Sequence, residues 1–492
     1  MHYSTSDRPS TPSSPCSPCE ITALSASDLS QAIHSQRFSC VQVMQAYLGR
    51  IAQLNPTYNA IVSLRSEADL LAEAAWHDTL LAQGASKGWL HGMPQAIKDL
   101  SPTSGITTTL GSPLMQNNVP TEDGLMVQRM KAAGAIIIGK TNVPEFGLGS
   151  HTFNPVFGAT KNAHDATKTA GGSSGGAAVA LALHLLPVAD GSDFMGSLRN
   201  PAGWNNVFGM RPSQGRVPMW PASEVWLSGL GTEGPMGRST QDVARLMAIQ
   251  SGFDARQPQS IAAPFDLQHA LTPMTDAERQ SCKILYWGDL CGHLALEDGI
   301  DILCTQALQA LSSKGLQIES LANQSQLGFQ PERIWEAWLV WRKALVGARL
   351  APFIAMKHGR AQIKPEGLDE FDNAQNLTGA EFTAASTVRS AFYQAMLKLF
   401  KTYDAIALPT AQVWPFDAEM RYPNAIQTAH GLRQMDTYHR WMEVTIYATF
   451  AGLPCISVPV GFGKQQLPMG MQLIGKPQDD AGLLRLAALF DR

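Results

Sequence analysis

Six consecutive small residues, Gly171-Gly172-Ser173-Ser174-Gly175-Gly176, lead without a break into an apolar run, Ala177 to Ala189. Glycine at four of six positions opens backbone conformations and close approaches that a Cβ forbids. A flexible linker would be flanked by polar sequence; this one runs straight into residues that must be buried, so it reads as a turn inside a core. The apolar run is broken by His184 and Pro187, and it is shorter than the ~20 residues that span a bilayer. A packed α/β interior, rather than a tether or a membrane anchor, is the context this implies.

The rest of the chain agrees with that context. It has 492 residues with 45% hydrophobic and 16% charged side chains, below the ~25% charge of an average globular protein. This length can bury a large core in one domain or in several. A formal net charge of -4 argues against nucleic acid or an anionic membrane as partner, since both favour basic surfaces. The first twenty residues, MHYSTSDRPSTPSSPCSPCE, lack the apolar core of a secretory signal. Seven cysteines, an odd number scattered over a long chain, fit a reducing compartment, so a cytoplasmic location is expected. Cys16 and Cys19 form a CxxC, but no second pair accompanies it, and no metal ligand set or cofactor is assigned.

Residues 1–19 are Ser/Pro-rich and expected to be a disordered tail; residues 20–492 are expected to form one large domain. Leu29, Ile33, Val41, Val43, Met44, Tyr47, Leu48 and Ile51 keep helical spacing, with Ser27-Asp28 placed to cap them. A second helix is predicted between about 65 and 86. An amphipathic helix over Gly124 to Ala133, followed by a strand at Ala135-Ile138, gives the alternation of an α/β fold. From about 260 the pattern is helical. Strands are predicted again at Ala405-Pro409, Cys455-Pro459 and Met469-Ile474, completing a sheet begun in the first half.

Three glycine-rich segments compete for the chemistry. Gly134 to Thr141 satisfies the P-loop expression GxxxxGK[ST], but Ala-Ile-Ile-Ile at its centre is a strand rather than an anion-binding nest. Lys140 is therefore expected at a strand end on the surface. The run at 171–176 satisfies GxSxG, yet the preceding Asn162 to Thr169 is polar and turn-forming, where a nucleophile elbow needs a strand. In the third, Gly191-Ser192-Asp193-Phe194-Met195-Gly196-Ser197-Leu198-Arg199-Asn200-Pro201-Ala202, a serine follows a tight turn. Ser197 lies 24 residues after Ser173 with a helix-length apolar segment between them.

These two runs, together with Gly92-Met93-Pro94-Gln95-Ala96-Ile97-Lys98-Asp99 upstream, resemble the amidase signature family, whose GxPxxxKD, GGSSGG and GxDxGGSxRxPA motifs occur in this order. GAIIIGKTNVPEF (134–146), NPVFGATKN (154–162), YDAIALPT (403–410) and AGLPCISVPVGF (451–462) are similar to family segments too. The resemblance runs from about 21 to 492 and is weakest over 255–400, the region expected to specify substrate. It implies a single α/β domain built on a mixed, twisted sheet surrounded by helices. It also implies a Ser-cisSer-Lys constellation: Ser197 as nucleophile, Ser173 as the bridging serine with a cis peptide, and Lys98 as base. Ser174 and Gly172 would support that network. Backbone N–H groups of Phe194, Met195, Gly196 and Ser197 would form the oxyanion hole. Asp193 and Arg199 read as a buried structural pair that shapes the loop.

The chemistry makes these residue types necessary. A serine hydroxyl is a poor nucleophile until a neighbouring base takes its proton, and lysine serves as that base only when burial keeps it neutral. Met195 departs from the family's usual glycine, which puts the loop geometry at issue and predicts a pocket narrowed by Met195 and Phe194. Trp335, Trp338 and Trp341, at i, i+3 and i+6, fit core packing or an apolar acyl pocket, as do Trp220 and Trp226.

An amidase acting on a small aryl, alkyl or cyclic amide is the expected function. The alternatives are the glutamine-hydrolysing component of a tRNA-dependent amidotransferase and a carbamate or ester hydrolase at the same site. A non-enzymatic binding protein fits poorly with Lys98, Ser173 and Ser197 all present. The expected partner is the small-molecule substrate, with a homodimer possible on family grounds.

Overall fold

A computed structural model describes residues 19–491; Cys16 and the tail before Cys19 lie outside them. Where periodicity predicted one N-terminal helix there are two, Ala26–His34 (α1) and Cys40–Tyr58 (α2). Each has its own serine cap. Ser25 accepts from Asp28 N, and Ser39 accepts from Gln42 N while the Gln42 side chain returns to Ser39 N. The apolar spacing crosses the break because both helices bury their stripe in the same core.

A small sheet follows. Ile61–Val62 (β1), Pro94–Lys98 (β2) and Ile136–Thr141 (β3) lie in the order β1-β3-β2, with β2 and β3 parallel. The stretch with the P-loop pattern is therefore mostly the buried strand β3. Lys140 is not at the surface: it is fully buried, and its Nζ donates to Ser101 O (2.6 Å) and Thr103 Oγ1 (2.8 Å).

The apolar run after the glycines divides in two. Gly175–Ala182 forms a buried helix (α3), and after a turn through His184 the chain enters strand Ala189–Asp193 (β4). At Gly176 a Cβ would lie 2.4 Å from Asn142 N and 2.5 Å from Ala60 O, so α3 can sit against these backbones only with glycine there.

Short helix Arg199–Trp204 (α4) leads to strands Phe208–Arg211 (β5), Thr232–Gly237 (β6), Lys283–Tyr286 (β7) and Gln317–Ser320 (β8). Helices Pro331–Ile354 (α5), Pro365–Ala374 (α6) and Gly379–Leu399 (α7) come next. Strands Ala405–Pro409 (β9), Cys455–Phe462 (β10) and Pro468–Gly475 (β11) complete the set. The large sheet has the order β8-β7-β9-β11-β10-β5-β6-β4. Its β8, β7 and β9 are parallel neighbours and the remaining pairs antiparallel. One face carries α5, α7 and the aromatic-rich segment around Trp441–Leu453; the other is covered by Ile300–Ser313, Thr240–Gln250 and the C-terminal Asp480–Ala487. The molecule is thus a single α/β domain with a mixed eight-stranded sheet inside helices. Among the described residues no helix is long and apolar enough to cross a membrane.

Candidate active site

Lys98 ends β2 with its side chain fully buried. Its Nζ donates to Ser173 Oγ (2.9 Å), Ser174 Oγ (2.7 Å) and the Ser192 carbonyl (3.0 Å). Burial lowers its pKa to about 7, against the opposing pull of Asp190, Asp193 and Glu233. A neutral amine has two N–H donors and one lone pair. The Ser192 carbonyl can only accept, so in the neutral state one of the two hydroxyls must donate to Nζ. That is the arrangement of a base receiving a proton from serine.

The Gly172–Ser173 peptide is cis. Gly172 N donates to Asn200 Oδ1 (3.2 Å), and Ser174 N donates to the Ser197 carbonyl (3.2 Å). These bonds tie the 171–176 run to the 193–202 run, so the structure brings Lys98, Ser173, Ser174 and Ser197 together from three separate segments.

The loop from β4 to α4 is fixed from beneath by Asp193. Its carboxylate accepts from Gly196 N (2.9 Å), Leu198 N (3.1 Å) and, side-on, from Arg199 Nε and Nη2 (3.0 Å each). Arg199 also donates to Thr445 O, Gln472 Oε1 and Thr449 Oγ1, and Arg211 donates to the Asp193 carbonyl (2.6 Å). Burial would raise the Asp193 pKa, but Arg199 and Arg211 hold it down at about 2. One of the four anticipated oxyanion donors differs from expectation: Gly196 N–H is already engaged by Asp193, because that carboxylate is tucked under the turn. Among the described residues the N–H groups of Phe194, Met195 and Ser197 have no protein acceptor. The left-handed turn of this loop falls on Gly196 (φ +80°), not on Met195, so a side chain at 195 is tolerated by the backbone.

Ser173 and Ser197 open on one cavity of about 40 Å³, enough for a few waters. Its walls include Leu100, Leu148, Phe194, Met195 and Met442, with Arg342 and Arg349 beside them. None of the five tryptophans considered for a pocket lines it. Trp335 and Trp338 are buried in the core between α5 and the sheet, with Trp338 packed behind Phe194 (ring centroids 5.6 Å apart). Trp226 is 68% exposed, and half-buried Trp220 lies under Arg256. The stripe at i, i+3, i+6 thus serves packing. Sequence reasoning missed Arg342, Arg349 and Met442. Arg342 is buried and held by Glu370 (2.5 Å) and the Tyr438 hydroxyl (2.6 Å), with Nη1 3.7 Å from Met195 Sδ. No motif marks these positions; the one available signal was two arginines seven apart on a helix whose apolar face is buried. A larger cavity, about 530 Å³, lies at the ends of β7 and β8 and contains none of these residues.

A family model described as Amidase matches residues 42–484. The chain is 30% identical to the A component of the glutamyl-tRNA(Gln) amidotransferase of Alkaliphilus metalliredigens, over 95% of this chain and 96% of that one. Among solved structures, a bacterial aryl acylamidase of the amidase signature family superposes with a TM-score of 0.87 at 27% identity, covering 96% of this chain and 97% of the other. The corresponding glutamyl-tRNA(Gln) amidotransferase component of Thermotoga maritima gives 0.75 at 27% identity, covering 96% and 95%. With nearly all of its length matched in sequence and in fold, the chain belongs to the amidase signature family.

Proposed function

We propose that this protein hydrolyses the C–N bond of a small carboxamide through an acyl-enzyme on Ser197. The observation that carries this reading is the buried Lys98 Nζ, 2.9 Å from Ser173 Oγ, behind a cavity that Ser173 shares with Ser197. Neutral Lys98 takes the Ser173 proton as Ser173 takes that of Ser197, and Ser197 Oγ attacks the carbonyl carbon. The N–H groups of Phe194, Met195 and Ser197 face the oxyanion; one such donor is typically worth about 3–4 kcal/mol. Ser173 returns a proton to the leaving amine, and water then releases the carboxylate by the same route. Metal and cofactor have no role in this scheme.

The apolar walls formed by Leu100, Leu148, Phe194, Met195 and Met442 support an aryl or alkyl amide, as does the likeness to an aryl acylamidase. A second reading, glutamine hydrolysis as part of an amidotransferase, is favoured by the guanidinium groups of Arg342 and Arg349 at the same cavity, which suit a carboxylate, and by the curated relatives. A panel of anilides, alkyl and cyclic amides, carbamates and glutamine, with Ser197→Ala as control, separates the two. Turnover of none of them, or turnover that survives Ser197→Ala, overturns the proposal.

A further inference from the structure

Beneath Lys98 lies a set of ionisable side chains that the acyl-transfer scheme leaves without a task. Lys140 stands on β3 with Ile97 as its register partner. Asp190 lies on β4, Glu233 on β6 opposite Ser192, and Asp99 just after β2. All are buried. Glu233 accepts from Ser101 Oγ (2.5 Å), while the Ser101 carbonyl accepts from Lys140 Nζ (2.6 Å). Asp190 accepts from the Lys98 backbone N–H (3.1 Å), and the Ser192 carbonyl, in register with Glu233, accepts from Lys98 Nζ (3.0 Å).

Two amino and three carboxyl groups are thus enclosed within a few strands, each carboxyl bound to N–H or O–H groups rather than salt-bridged to either lysine. Enclosing ions costs several kcal/mol each unless they are closely paired, and apolar side chains would pack these positions as well. A cluster of coupled titratable groups beside a reacting centre is a mark of tuned proton affinity.

We propose that Glu233 is a positioning residue for the reaction: from across β4 it sets how readily Lys98 exchanges a proton with Ser173. The proposal rests on the reading of Lys98 as base. The charged groups around Lys98 are Lys140 from β3, Asp190 and Asp193 from β4, Glu233 from β6, Asp99 from the turn after β2, and Arg349 from α5. Burial raises Glu233 to about 7, the region to which burial lowers Lys98. The geometric link is Ser192, which faces Glu233 across the β4–β6 ladder while its carbonyl accepts from Lys98 Nζ. An ionised Glu233 carboxylate therefore favours the ammonium form of Lys98, and a protonated one leaves Lys98 more readily neutral and able to act. Removing the carboxylate charge makes Lys98 neutral at lower pH.

The test is the pH dependence, from 5 to 10, of the rate at which a fluorophosphonate labels Ser197, read by mass spectrometry. In the unaltered protein the rate is expected to rise through about pH 7. Glu233→Gln is expected to move that midpoint down by about one unit; an unmoved midpoint, with the rate lowered equally at all pH, overturns the proposal. If Glu233→Gln does not fold, Ser101→Ala keeps the carboxyl but removes its hydrogen-bond donor. It is expected to give a smaller downward shift, and no shift again overturns the proposal. Lys98→Ala distinguishes the two levels. Normal labelling of that variant refutes Lys98 as base; loss of labelling with an unshifted Glu233→Gln refutes the role of Glu233 alone.

Discussion

At Lys98 the fold holds an amine among two hydroxyls and a carbonyl in a site almost closed to water. On the proposed mechanism Lys98 acts only when neutral, so kcat/KM is expected to rise with pH through about 7 and level off above about 8, the acid limb following the lowered Lys98 pKa. Lys98→Ala and Ser197→Ala should each reduce kcat by roughly 10³-fold or more, whereas replacing any single one of the twelve histidines should remove no essential group. A histidine variant with a comparable loss would point to a different mechanism. At position 195 the thioether occupies space at the cavity wall. Met195→Gly is expected to widen acceptance toward bulkier acyl groups, and an unchanged substrate profile would mean that the wall is set elsewhere.

The loop between β4 and α4 depends on one carboxylate facing two guanidinium groups. Asp193→Asn leaves Arg199 and Arg211 buried with less compensation, a change expected to cost about 3–5 kcal/mol by denaturant unfolding and to loosen the turn carrying Ser197. Much of this element was legible in the sequence. The glycine-to-serine spacing, the Asp193–Arg199 pairing and the helix between the two serines were readable there, whereas strand β4 was not among the predicted strands. The strands predicted at 135–138, 405–409, 455–459 and 469–474 lie within or beside the observed β3, β9, β10 and β11, because short apolar runs between turn residues have few other uses. Three features escaped. The break between α1 and α2 was hidden because Ser39 caps a second helix whose stripe continues the first. The burial of Lys140 depends on partners at 101 and 103, which nothing local to Lys140 indicates. Arg342 and Arg349 come from a helix that carries no motif, so only three dimensions relate them to Ser197.

Across the molecule, tryptophans divide by location rather than by resemblance to a pocket. Trp338→Ala, in the core, is expected to cost about 3–5 kcal/mol of stability, while Trp226→Ala, at 68% exposure, should stay within about 0.5 kcal/mol; calorimetry of both variants checks the contrast. The order of the large sheet carries a further consequence. Its middle strands, β10 and β11, are among the last segments of the chain, and they stand between β9 on one side and β5 on the other. Until they emerge from the ribosome, the earlier strands present two unpaired edges, and the pairings that join them span long loops that are slow to close. Ser197 is therefore synthesised well before the walls around it exist, and a nascent chain would need shielding from its own kind until the last strands slot into the gap.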